Sequence, residues 1–377
     1  MTAAPARKSV RATPSAARRH ALRPRHLLRL LLVFIPVAAI AAARHAPAPV
    51  TFAGAALAII PLAGLLGEAT ERVASRLGAG IGGLLNATFG NAAELIIALA
   101  ALQRGLYGVV KASLTGSIIG NLLLVLGLAI VAGGARRERQ RFDRVAAAAG
   151  TTLLALAAVG LLVPALFHEI AAHALPASPA RAHEHDLSMV IALVLFAAYL
   201  LSLIFSLGTH RHLYTGADDE DPFTGSLPRA VISLLVATAL TAWMSELLAG
   251  VVEAASHALG FTPVFVGVIV VAIVGNAAEH SSAVLAAVRD RMDLALHIAV
   301  GSSTQIALFV APLLVFVSRF MSHGPMDLRF TSFEVLAVAV AVGVVNLVAQ
   351  DGETNWLEGA LLLAIYVVLG IAFFYLP

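Results

Sequence analysis

Gly90-Asn91-Ala92-Ala93-Glu94 recurs as Gly275-Asn276-Ala277-Ala278-Glu279, each time inside a long apolar run. The runs cover roughly 81–102 and 264–288, and about 20 apolar residues suffice to cross a bilayer as a helix. A carboxylate near the middle of such a helix is costly to place and is a functional site by default. A single membrane Asn or Glu can serve merely to bind a neighbouring helix. Two matching copies in separate halves of one chain argue against that bland reading and for an internal repeat with an acidic site between the copies.

The repeat extends outward from the pentapeptide. The offset of 185 residues that maps Glu94 onto Glu279 also maps Gly116-Ser117 onto Gly301-Ser302, on the following helix. One ungapped offset across two helices and their loop is hard to reach by chance. The chain is 59% hydrophobic and 12% charged, against ~25% charged in a soluble domain. About eleven apolar stretches follow one another: 27–43, 51–67, 81–102, 109–132, 146–166, 189–207, 229–252, 264–288, 294–317, 332–350 and 356–376. They lack the alternation of barrel strands and read as helices. The fold class is therefore all-α, a polytopic membrane protein. The copies lie in the third and eighth spans, an odd step of five, so the second is expected upside down relative to the first, with the site near the midplane.

Basic residues orient the chain. With the N-terminus in the cytoplasm, 19 of the 25 Lys and Arg fall on the cytoplasmic side, as the positive-inside rule requires. The basic balance thus reflects topology, and no basic soluble face offers itself to nucleic acid. Residues 1–26, rich in Ala, Pro, Ser and Arg without an acid, read as a disordered, lipid-facing tail. The small residues Ala41–Ala43 resemble a signal-peptide end, but the charged region before them is long for a signal, so a retained first helix is expected. The absence of cysteine excludes disulfides and thiolate metal sites.

The spacing suggests hard-cation chemistry. On a helix Asn91 and Glu94 share a face, as do Asn276 and Glu279. Ser117, Ser302 and Gln305 on the partner helices add hydroxyl and amide oxygens. Ca²⁺ takes six to eight oxygens, and two carboxylates match its charge. Burial favours the neutral form of a carboxylate, and a metal binds its ligands deprotonated. Protons and Ca²⁺ would then compete for the same oxygens, and either occupant would cancel the site's charge. Glu68 and Glu71, at the inner end of the second span, and Glu253 and Glu246, on the seventh, are further acids. Glu68 and Glu253 read as solvated helix ends, whereas Glu246 lies deeper.

Gly82-Gly83-Leu84-Leu85-Asn86-Ala87-Thr88-Phe89-Gly90-Asn91-Ala92-Ala93-Glu94 and Gly275-Asn276-Ala277-Ala278-Glu279-His280 resemble the two signature repeats of the cation/proton exchanger family, within the calcium/cation antiporter superfamily. Thr209-His210-Arg211-His212 and the segment Asp351 to Gly359 are similar to it too. The likeness runs from about residue 51 to the C-terminus. It implies a basic tail (1–26), one leading helix (27–50), two inverted five-helix halves (51–207 and 229–377), and a linker at 208–228. It also implies exchange of Ca²⁺ for protons, with Glu94 and Glu279 binding ion and proton in turn. His280, Glu71 and Glu246 resemble residues of the family's proton and cation paths. The family's acidic segment is reduced to Asp218-Asp219-Glu220-Asp221. The expected partners are Ca²⁺, H⁺ and the bilayer. No cofactor is expected, because Ca²⁺ is the transported substrate. The expected host is a bacterial inner (plasma) membrane, and a homo-oligomer stays open.

Other readings are weaker. His168-Glu169-Ile170-Ala171-Ala172-His173 spaces its histidines five apart, not the four that would put both on one helix face for zinc. His183-Glu184-His185-Asp186 reads as a solvated loop. Asn86-Ala87-Thr88 lies inside a span and is no glycosylation acceptor. Gly78 to Gly83 lacks the Lys-Ser/Thr of a phosphate loop. A channel would usually build its filter from identical groups of several subunits, and an intramembrane hydrolase lacks its zinc or nucleophile motif. An Na⁺- or K⁺-coupled exchanger of the same superfamily is the nearest alternative.

Overall fold

A computed structural model describes residues 29–174, 177–210 and 226–376. The basic tail 1–26 and the acidic run Asp218–Asp221 lie outside the described residues. The elements are, in order, α1 (Leu31–Ala43), α2 (Ala48–Leu77), α3 (Ile81–Phe89), α4 (Ala92–Gln103), α5 (Tyr107–Gly134), α6 (Arg144–Ala171), α7 (His183–Thr209), α8 (Leu227–Leu259), α9 (Pro263–Gly275), α10 (Ala277–Val288), α11 (Met292–Ser318), α12 (Ser332–Val348) and α13 (Trp356–Tyr375). Among the described residues seven helices are long and apolar enough to span a membrane, or nine if α3–α4 and α9–α10 each count as one broken span. α1 and α12 are shorter apolar helices. The protein is a predominantly helical integral membrane protein.

After α1 the same succession occurs twice: a long helix, a broken helix, a long central helix and two more. α3 meets α4 at 47° and α9 meets α10 at 60°, both breaks falling at the Gly-Asn of the pentapeptide. The hydrogen-bond ladder widens to π-helix over Gly120–Val125 in α5 and over Ile306–Val310 in α11, nearly the same repeat position. Such bulges occur frequently at functional sites. Between α2 and α3 the chain turns sharply. Gly82 lies against the carbonyl of Ala74, whereas a straight helix would separate residues eight apart by about 12 Å.

α5 and α11 form the centre, with 83% and 72% of their apolar windows buried, against 17% for α7. Large apolar side chains on the outer helices, such as Leu201 and Leu361, are exposed where lipid would cover them. With no hydrophobic drive between helices in lipid, packing relies on close approach. A Cβ on Gly116 of α5 would run into the backbone of Val268 in α9, and one on Gly359 of α13 would stand 2.8 Å from the Gly127 carbonyl oxygen of α5.

Contacts between loops sort the ends of the helices into two faces. On one, β1 (Gln140–Arg141) pairs antiparallel with β2 (Glu353–Thr354), in register Gln140 to Thr354. Arg137 bridges Asp290 at 3.1 Å, and the amide of Asp143 donates to Asp293 at 2.5 Å. On the other, Tyr107 donates to the Gly324 carbonyl at 2.6 Å, Lys111 pairs with Asp327, and Glu184 meets His168 at 2.7 Å and Arg329 at 3.7 Å. Every one of these joins helix ends or loops that the alternating spans place on the same side.

Candidate functional site

The two breaks put two helix N-termini at one place. Asn91 and Asn276 leave helical geometry (φ −102°, ψ 32° and φ −90°, ψ 6°) and stand as N-caps of α4 and α10. Neither side chain caps its own helix; each reaches into the other half instead. Ser302 of α11 donates its hydroxyl to Asn91 Oδ1 at 2.7 Å. Asn276 Nδ2 donates to Ser117 Oγ of α5 at 2.9 Å. The repeat offset exchanges these two contacts, first-half Asn with second-half Ser and the reverse, which is the signature of a pseudo-twofold axis.

The rest of the web departs from symmetry. Asn91 Nδ2 donates to Gln305 Oε1 at 2.6 Å. Asn121 Nδ2 donates to Ser302 Oγ at 2.9 Å and to Asn276 Oδ1 at 3.1 Å. Asn121 was not among the residues singled out from the sequence. Its repeat partner is the apolar Ile306, so the offset pointed away from it; the usable signal was a lone amide inside the apolar run 109–132.

Glu94 and Glu279 are the third helical residues of α4 and α10, in their first turns. The exposed backbone N–H groups and positive dipole end of each helix favour a negative charge there. Glu94 is 9% exposed. It lies across Gly275 of the other copy, where a Cβ would stand 3.5 Å from Glu94 Cγ. Glu279 Oε2 is fully buried with no hydrogen-bond partner. An orphaned carboxylate oxygen in such a place is costly unless a proton or cation occupies it.

Both carboxylates open into one cavity of about 300 Å³, bounded by α2, α3, α10 and α11. Of the seven residues expected at the site, Glu94, Glu279, Ser302 and Gln305 line it. Asn91, Asn276 and Ser117 are not among the lining residues: Asn91 bonds to Ser302 and Gln305 of the lining, whereas Asn276 and Ser117 bond to one another. Glu71 lies at the wall, and so do Glu68, in place of the solvated helix end its sequence position suggests, and His297, which no sequence motif marks. His280 is not among the lining residues: one position past Glu279, it is turned by about 100° around the helix. Glu246 is also away from the cavity, held by Arg104 Nη2 at 2.5 Å.

Two carboxylates, a hydroxyl and an amide oxygen form a hard-oxygen donor set of charge −2 when ionised, suited to one divalent cation. No group of three or more His, Cys, Asp or Glu among the described residues could hold a metal.

Comparison with known proteins agrees with this geometry. The model of the sodium/calcium exchanger protein family matches residues 47–208 and 229–375. The Ca(2+)/H(+) antiporter of Synechocystis sp. is 46% identical over 369 residues, covering 92% of this chain and 97% of that one. The Ca(2+)/H(+) antiporter ChaA of Bacillus subtilis is 42% identical over 355 residues, covering 92% and 98%. The solved structure of native YfkE is 41% identical with a TM-score of 0.79, covering 93% of this chain and all of that one. The H+/Ca2+ exchanger CAX, at 12% identity and a TM-score of 0.64, shares the fold. With both inverted halves matched and the paired Gly-Asn breaks in place, the chain belongs to the sodium/calcium exchanger protein family.

Proposed function

We propose that this protein is a secondary antiporter that exchanges Ca²⁺ for protons by alternating access. The carrying observation is that Glu94 and Glu279, from two halves related by a pseudo-twofold, face one cavity, with one carboxylate oxygen left unpartnered. Ca²⁺ would bind as substrate between the carboxylates, with Ser302 and Gln305 contributing neutral oxygens. Protons would replace it on the same carboxylates, since a protonated carboxyl no longer serves as an anionic ligand. An empty, doubly charged site resists moving through a low-dielectric barrier, so exchange stays coupled. Relatives named Ca(2+)/H(+) antiporters favour protons over Na⁺ as the counter-ion.

The positive-inside count assigns the face carrying β1 and β2 to the cytoplasm, so the cavity, with Glu68 and Glu71 at its wall, opens inward. A bacterial inner membrane is the proposed host. The test is Ca²⁺ uptake into everted vesicles under an imposed pH gradient without Na⁺ or K⁺. Glu94→Gln and Glu279→Gln keep shape but remove charge, and each should abolish uptake. Uptake at the wild-type rate in either folded variant would sink the assignment.

A further inference from the structure

We propose that Arg104 and Arg289 are matched positioning residues, one for each face of the membrane, and that whichever is latched onto an acid of the opposite half decides the side to which the Glu94–Glu279 site opens. This rests on the exchange reading above.

Arg104 and Arg289 occupy one place in the repeat, since the same offset of 185 relates them. Each is the C-cap of the half-helix that carries a site carboxylate, α4 or α10. Arg104 is engaged. Its Nη2 donates to Glu246 Oε1 on α8 at 2.5 Å. Its guanidinium also covers Gly250, one turn along α8, where a Cβ would stand 3.1 Å from Nη2.

The long helices correspond by an offset of 182, read from Glu71 to Leu77-Gly78 against Glu253 to Leu259-Gly260. Under it Gly250 corresponds to Glu68, and Glu246 to Gly64. The twofold that sets Arg104 on Glu246 and Gly250 therefore sets Arg289 on Gly64 and Glu68. The acid and the glycine have traded places by one helical turn, so each half still offers one acid within a turn of the arginine.

The second latch is open here. Arg289 is exposed and makes no ion pair with any described residue. Glu68 is held by Arg29 at 3.1 Å and Arg72 at 3.3 Å. The packing has the same asymmetry. α8 lies close along α4, whereas the cavity opens between α2 and α10. Closing the inner side would bring the end of α10 onto α2 and Arg289 onto Glu68, while opening the outer side separates Arg104 from Glu246. Exchanging one pair for the other keeps the number of inter-half ion pairs constant, so neither end state traps the carrier. The side chains of Arg104 and Glu246 are 41% and 46% exposed, so packing does not lock the pair in place.

The chain's lack of cysteine makes the test direct. In reconstituted vesicles, Glu68→Cys with Arg289→Cys is treated with a short bifunctional maleimide, with and without Arg104→Gln. Losing the outer latch should raise cross-linking ~5-fold, the population shift expected from one exposed pair. It should lower labelling of Ser282→Cys from the inner face by a membrane-impermeant maleimide. Arg104→Lys should leave both near their starting values. Separately, Arg289→Gln should slow exchange while leaving equilibrium Ca²⁺ affinity unchanged, and Arg289→Lys should restore the rate. Cross-linking and labelling indifferent to Arg104→Gln, or binding and exchange lost together in Arg289→Gln, would overturn the proposal. A cross-linking shift on Arg104→Gln together with no pH-driven Ca²⁺ uptake by the wild-type protein would leave the latches standing and remove the exchange reading instead.

Discussion

Asn276 is 1% exposed and holds three hydrogen bonds: to Ser117 Oγ (2.9 Å), to the Ala272 carbonyl (2.8 Å) and from Asn121 Nδ2 (3.1 Å). Asn276→Ala removes all three. Membrane hydrogen bonds average ~0.6 kcal/mol each and buried ones in water about 1. The three bonds therefore amount to about 2–3 kcal/mol, with Ser117 deprived of a donor and Asn121 of one of its two acceptors. Stability would be measured by equilibrium unfolding in bicelles, for Asn276→Ala, Ser117→Ala and the double variant. The cycle should return a coupling of about 0.6–1.7 kcal/mol, the measured range for strong membrane pairs. The repeat further demands that Asn91→Ala with Ser302→Ala behave similarly, through the contact at 2.7 Å. A loss under about 0.5 kcal/mol in Asn276→Ala, or a vanishing coupling, would show that the inter-half web does not hold the site together.

If Ca²⁺ and protons compete at Glu94 and Glu279, apparent Ca²⁺ affinity must weaken as pH falls, because protons then occupy the ligands; radiotracer binding that is flat between about pH 5 and 8 would favour the Na⁺- or K⁺-coupled alternative. Single cysteines at Ser226 and Ser322 should label from opposite faces of the membrane, and labelling of both from one face would refute the order of spans. Asp327 is pushed up by burial, but the charge and hydrogen bond of Lys111, with help from Arg329, outweigh this and hold its carboxyl below the ordinary range. A depressed carboxylate contributes stability above its unfolded pKa of ~3.9 and loses it as pH falls through the lower folded value. Lys111→Met should therefore cost about 1–3 kcal/mol at neutral pH, a gap in thermal midpoint that closes in stronger acid.

The legibility of this protein was uneven for reasons that can be read at particular residues. His280 follows Glu279 in sequence, yet one step along a helix turns a side chain by about 100° and takes it off the cavity wall. Glu68 looked like a solvated helix end but lines the cavity, because α2 continues to Leu77 and carries its last turns past the site. Asn121 joins both halves, although no repeat marks it.

The membrane class, the helical character, the paired Glu94 and Glu279 and their inverted relation were all legible in the sequence alone, whereas against about eleven expected spans the described residues hold seven long apolar helices, or nine with each broken pair counted as one. The bilayer acts on each segment separately: it demands a minimum apolar length, charges a penalty for each buried carboxylate and retains basic loops on one side, so these features are local and survive in the linear text. Tertiary structure alone decided which oxygens face the cavity and which stand behind them, that Arg104 is latched while Arg289 is free of any ion pair among the described residues, and that the cavity lies between α2 and α10. Those depend on helix rotation and on the balance between two nearly equivalent packings of the same halves, and that balance is a difference of small energies that no single segment encodes.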